Sequence, residues 1–235
     1  MAGPPTGNVT FLFTDIQGST SMWERDARMM QAALARHDEI MRGVVAEHGG
    51  HVFKMVGDAC YSAFSSAPEA LAAAISGQRA IFSEPWDERS LVRVRMALHT
   101  GEAEERDGDY FGPPLNRAAR LLSAGHGGQT LLSGATRKLV DGRLPDGVSL
   151  RDMGERHLKD LKEPERIFQL IVPDLPSEFP PLKTLETSSN EDRYRLIKKI
   201  GSGGWPRSTS PTTSSSSARS PSRSWTASTP RIKRP

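Results

Sequence analysis

Two short runs, His51 to Val56 and Ala59 to Phe64, are separated only by Gly57-Asp58. Both runs suit a pleated, half-buried surface, and a two-residue link of this kind closes a tight hairpin. This feature commits the chain to an antiparallel sheet. A third run, Val9 to Phe13, follows turn residues and has the same β-branched and aromatic character. It leads into Asp15 and then Gly18-Ser19-Thr20. Beyond these, Met30, Ala33, Leu34, His37, Ile40, Met41, Val44 and Val45 recur at helical spacing. They predict one helix from Ser21 to about His48, ended by Gly49-Gly50.

Further along, Pro68 to Phe82 is Ala-rich, opens on Pro and Glu, and predicts a second helix. Leu91 to Thr100 alternates apolar residues with Arg and reads as a strand. The polar stretch Glu102 to Gly112 reads as a projecting hairpin, and Pro114 to Leu122 as a helix. Gln129 to Ser133 is a short strand, and Ser149 to Val172 holds two more around a turn. The order is βαββαβ with additions, a ferredoxin-like α+β sandwich. Helices are expected on one face of a mainly antiparallel sheet.

A chain of 235 residues can build one sizeable core with an appendage. The +3 net charge is misleading. Residues 201–235 hold six of the 31 basic residues and no acid, leaving 25 basic against 28 acidic residues before them. The basic character belongs to the tail, so no nucleic-acid partner is expected for the folded part. No apolar run reaches the length of a membrane helix, so no membrane partner is expected either. Met1 to Pro5 lacks the basic and apolar regions of a secretory leader, and the single Cys60 fits a reducing compartment. A cytoplasmic setting follows as the expectation.

Asp15 and Asp58 end apolar strands and are candidate metal ligands. Mg²⁺ takes one or two protein carboxylates together with water and phosphate oxygens. Each alone also fits a plainer role, Asp15 as a helix N-cap and Asp58 as a turn residue. Gly18-Ser19-Thr20 tips the balance, because a strand, a Gly turn and a helix start present free N–H groups to an anion. Lys54, four residues before Asp58, can donate to a ring nitrogen of a base, and Asp109 can accept from an exocyclic amine. That polarity fits the adenine edge, and a guanine edge reverses it. Asn116 and Arg120 share a helix face, where an Arg can stabilise a phosphoryl group in transfer. The plainer reading of that pair is an exposed polar face. Cys60 reads as a small buried residue, and the six His residues show no zinc-ligand spacing.

The set resembles the class III nucleotidyl cyclases across about residues 8 to 172. Phe13-Thr14-Asp15-Ile16-Gln17-Gly18-Ser19-Thr20 is similar to the first metal-ligand segment, with Ile16 in the ligand set beside Asp15. Lys54 to Asp58 resembles the base-selecting lysine followed by the second metal Asp. Asp109 to Arg120 resembles the segment with the base-selecting Asp and the transition-state Asn116 and Arg120. The Leu158-Lys159-Asp160 stretch is a looser match to a late phosphate-contacting lysine, Lys159. Pro113-Pro114 departs from the commoner pattern. The resemblance implies an adenylate cyclase converting ATP to 3′,5′-cyclic AMP and pyrophosphate with two Mg²⁺ or Mn²⁺ ions per site. It also implies a homodimer, with Asp15 and Asp58 from one subunit facing Lys54, Asp109, Asn116 and Arg120 of the other. Two alternatives stay open: a catalytically weak nucleotide-binding module regulating an attached kinase, and a guanylate cyclase.

The composition ends the catalytic unit at Val172, preceded by a short tail over residues 1–7. Residues 173–192 read as a Pro/Ser/Thr-rich linker. Residues 193–204 resemble the first strand and Gly-rich loop of a protein kinase, but the expected continuation to a strand lysine is missing. A frameshift within the loop would account for this. Residues 205–235 are Ser-, Pro- and Arg-rich, with too little apolar content for a core, and are expected to be disordered.

Overall fold

A computed structural model of the chain describes residues 4–184. The expectations for residues 185–235, kinase-like loop included, lie outside the described residues. The first half runs β1 (Gly7–Ile16), α1 (Ser19–Arg25), α2 (Ala27–Glu47), β2 (His51–Val56), β3 (Ala59–Phe64) and α3 (Ala67–Ser83). A 3₁₀ turn (Glu88–Ser90) leads to β4 (Val94–Arg106), β5 (Asp109–Phe111) and α4 (Pro113–Ala124). The chain continues through β6 (Thr130–Ser133), α5 (Gly134–Val140), β7 (Ser149–Arg156) and β8 (Glu165–Ile171).

The strands form one sheet in the order β2-β3-β1-β4-β6-β8-β7, and β5 extends β4 as a hairpin. Strand β1 is central and pairs antiparallel with β3 and β4. The β4–β6 pair is parallel, joined through α4. The fold is the mixed α+β architecture that the sequence predicts.

The side chains of β1 alternate across the sheet, as a period of two requires. Leu12 and Ile16 enter a core with Met41 and Val45 of α2 and Leu71 of α3. Val9, Phe11 and Phe13 enter a second core with Ala118, Leu121 and Leu122 of α4. Helices therefore cover both faces, not the single face expected from sequence. The reason is α4, whose apolar stripe needs a partner and finds the β1–β4 surface left bare by α2 and α3.

Three local differences have physical causes. The helix expected from Ser21 is two helices, because Asp26 adopts an extended conformation and its side chain accepts the Met29 N–H at 3.1 Å. An Asx cap restarts the helix there. Helix α5 was not anticipated; the Ser133 hydroxyl caps it by accepting the Thr136 N–H. Finally, residues 173–184 carry no helix or strand, but they pack on the domain, with Leu182 buried in the second core.

Candidate active site

The register of the central strands puts Asp15 directly opposite Arg95 of β4. Arg95 Nε donates to Asp15 Oδ2 at 2.7 Å, and Nη2 donates to the same oxygen. Across β1, the Asp58 carboxylate at the β2–β3 turn accepts the Ile16 N–H at 3.1 Å. The two carboxylates thus face each other at the end of the sheet. Burial raises the Asp15 pKa first, and hydrogen bonding and repulsion from Asp58 raise it further; Arg95 opposes this without cancelling it.

Such a pair favours a cation between its members, and in this chain the Arg95 guanidinium meets part of that demand. Two carboxylates with open coordination around them fit Mg²⁺, which keeps most of its shell for water and substrate phosphates. No cluster of three or more His, Cys, Asp or Glu occurs among the described residues. The Ile16 side chain is buried in the first core, so Ile16 could serve a cation only through its main-chain carbonyl.

Lys54 on β2 and Asp109 on β5 meet as an ion pair. The β2–β3 ladder is irregular between Val52 and Lys54, and an irregularity of this kind re-aims a side chain. The Lys54 ammonium holds the Asp109 carboxyl below the usual range, and the Tyr110 N–H also contributes. Beneath the pair lies an aromatic cluster, with Phe13 stacked on Tyr61 at 4.2 Å and Phe53 edge-on to Tyr110 at 4.9 Å. Tyr61 links the two pairs. Burial raises its phenol first, then Asp15 and Asp58 raise it and Lys54 lowers it.

Gly18 has φ 77°, a left-handed turn that favours glycine, and no side chain caps the start of α1 there. Ser19 and Thr20 form the first turn. Gln17, beside them, accepts the Gly127 N–H at 2.6 Å and so ties this turn to the chain after α4.

Asn116 and Arg120 lie on the outer face of α4, away from Ala118, Leu121 and Leu122. Arg120 Nη2 donates to Asp160 at 2.7 Å. Asp160 has φ 62°, and Lys159 beside it is exposed. Among the described residues, neither Asn116 nor Arg120 bonds to Asp15 or Asp58. One chain therefore pairs Asp15 with Arg95, Lys54 with Asp109, and Arg120 with Asp160. Clefts of about 610, 540 and 100 Å³ are lined by other residues. Cys60 is fully buried, with its thiol pushed up by that burial, which suits a packing role.

Arg95 escaped the sequence reading. The alternation of Leu91 to Thr100 marks a strand with arginines on one side, but its register against β1, 80 positions away, has no local signal.

Residues 1–171 match the family described as the adenylate and guanylate cyclase catalytic domain, and the chain belongs to that family. An uncharacterised Mycobacterium tuberculosis protein is 41% identical over 187 residues, covering 79% of this chain and 63% of that protein. The adenylate cyclase of Neurospora crassa is 29% identical, covering 71% of this chain and 10% of the fungal protein. Among solved structures, a Trypanosoma brucei adenylate cyclase in its monomeric state superimposes with a TM-score of 0.70 at 26% identity. That match covers 79% of this chain and 98% of the trypanosomal chain. The present chain thus spans under two thirds of these sequence relatives' own lengths.

Proposed function

We propose that this domain is an adenylate cyclase, converting ATP to 3′,5′-cyclic AMP and pyrophosphate at sites shared between two copies of the chain. One observation carries the reading. Lys54 and Asp109, 55 positions apart, meet as a donor–acceptor pair. The ammonium suits adenine N1 and the ionised carboxylate suits the N6 amine. A guanine edge would face a donor with a donor.

In this reading Asp15 and Asp58 hold Mg²⁺ or Mn²⁺, with the Ile16 carbonyl in reach, and Arg95 yields its place on Asp15. Bound divalent cations would acidify the ribose 3′-hydroxyl and carry charge on the departing pyrophosphate. The first turn of α1, at Gly18, Ser19 and Thr20, offers N–H groups to the polyphosphate. Asn116 would orient the ribose, and Arg120, released from Asp160, would meet charge growing on the α-phosphoryl group; Lys159 would hold the terminal phosphates. The 3′-oxygen attacks the α-phosphorus in line, the bond to the bridging oxygen breaks, and the hydroxyl proton leaves to water. Positioning and charge stabilisation dominate such a transfer.

The separation of the α4 face from the carboxylates within one chain supports a homodimer. In it, the Lys54–Asp109 pair and the α4 face of one copy complete the carboxylate site on the other. The test is complementation. Asp15→Ala and Arg120→Ala should each be inactive alone, and mixed subunits should recover roughly a quarter of wild-type activity, since half the pairs would be mixed with one intact site each. Proven subunit exchange without recovery would exclude a shared site.

A further inference from the structure

Chain beyond the last strand of a domain usually departs from it; here it turns back. The Leu175 N–H bonds to the Val172 carbonyl, and Asp174 pairs with Arg79 of α3 at 2.8 Å. The Ser177 carbonyl accepts from Gln169 at 2.7 Å, and Glu178 pairs with Arg151 at 2.7 Å. Both partners lie on the outer strands β7 and β8. The segment then reaches the far end of α4, where the Pro181 carbonyl bonds to His126 at 3.0 Å. Leu182, 8% exposed, joins the core holding Ala118, Leu121, Leu122 and Ala124. The Lys183 N–H donates to the Ala124 carbonyl at 2.9 Å.

That last bond satisfies one of the carbonyls a helix leaves bare at its C-terminus. Ala124 lies four residues beyond Arg120 and eight beyond Asn116, about 6 and 12 Å along the helix axis. Helix α4 has only twelve residues. A helix that short depends on tertiary contacts for its stability, and its ends fray first. Its side toward Glu165 is fixed by the Arg117–Glu165 pair at 2.8 Å. Its C-terminal end is fixed by the returning segment.

We propose that residues 173–184 are a strap that positions α4 for catalysis, with Leu182 and the Lys183 N–H as its anchors. The proposal rests on the role given above to Asn116 and Arg120. It extends the catalytic unit past Val172, at least through Lys183. A surface strap that only shields apolar area would support the fold evenly. This one closes on the last turn of the helix that carries the reacting side chains.

The test uses the full chain in two matched pairs. Leu182→Ala removes the apolar anchor and Leu182→Met keeps it. Lys183→Pro deletes the N–H and Lys183→Ala retains it. Amide exchange over residues 119–124 and steady-state kinetics with ATP are measured for all four. Leu182→Ala and Lys183→Pro should speed exchange in α4 roughly tenfold or more and lower kcat by about the same factor, with KM within about threefold. Leu182→Met and Lys183→Ala should match the parent. Unchanged α4 exchange in the first of each pair overturns the strap, and loosened α4 with unchanged kcat overturns its positioning role. Failure of the parent chain to turn over ATP would refute the cyclase reading, while the exchange arm still decides whether the strap holds α4.

Discussion

His99 should make the domain acid-sensitive as pH falls below about 6.5. The ring lies on β4, 6% exposed, with Nδ1 2.8 Å from the Ser133 hydroxyl. Burial, reinforced by the Arg117 charge, lowers its pKa from 6.5 to about 4. For a base the sign is clear: the folded state prefers the neutral ring. Stability from this group is full above the unfolded value of 6.5 and is lost as pH falls toward the folded value of about 4. Going from about pH 7.5 to about pH 5.5, the unfolded ring takes a proton that the folded ring does not. The loss integrates to about 1.3 kcal/mol, an order-of-magnitude figure. Guanidinium unfolding at both pH values should display it. His99→Gln keeps a partner for Ser133 and cannot gain a proton, so its pH loss should be smaller by about that amount. His37 is fully buried on α2 with its pKa also lowered by burial, but it is present in both proteins and cancels in the difference. Equal pH loss in parent and variant, or a His99 ring titrating near 6.5 by NMR, would refute the argument.

Mn²⁺ at about 100 times its Kd should stabilise the fold by about 2.7 kcal/mol, raising Tm by roughly 5–10 °C. Asp58→Asn should abolish that shift, and a persisting shift would remove Asp58 from the metal site. Combined Lys54→Glu and Asp109→Ser should lower kcat/KM for ATP by about 10²-fold and improve GTP relative to ATP, since each leaves a base edge mispaired. Unchanged ATP kinetics would end their role in base selection. Gly50→Ala would place a Cβ 2.4 Å from the Phe64 ring and 2.8 Å from Val45. Overpacking there should cost about 1–3 kcal/mol in chemical denaturation, and a neutral result would contradict the close approach of the Gly50 backbone to Phe64 of β3 and Val45 of α2.

Much of this protein is local and so was legible in the chain. The Gly57-Asp58 hairpin, the Ala-rich α3 and the α4 face carrying Asn116 and Arg120 follow from turn chemistry and periodicity within a few residues. Spacing along the chain also placed Asp15 at the end of β1 and Asp58 at the β2–β3 turn, where the structure has them. Tertiary structure decided what depends on register and on distant partners. Asp15 meets Arg95 only because β1 and β4 pair in one alignment, and Lys54 meets Asp109 only because the β4–β5 hairpin folds toward β2. Helix α4 moved to the second face because α2 and α3 already covered the first. Residues 173–184 read as a linker because Pro and Ser signal irregular backbone. Irregular backbone can still pack, and whether Leu182 finds a hole beside α4 is settled by the shape of the core, which sequence spacing does not record.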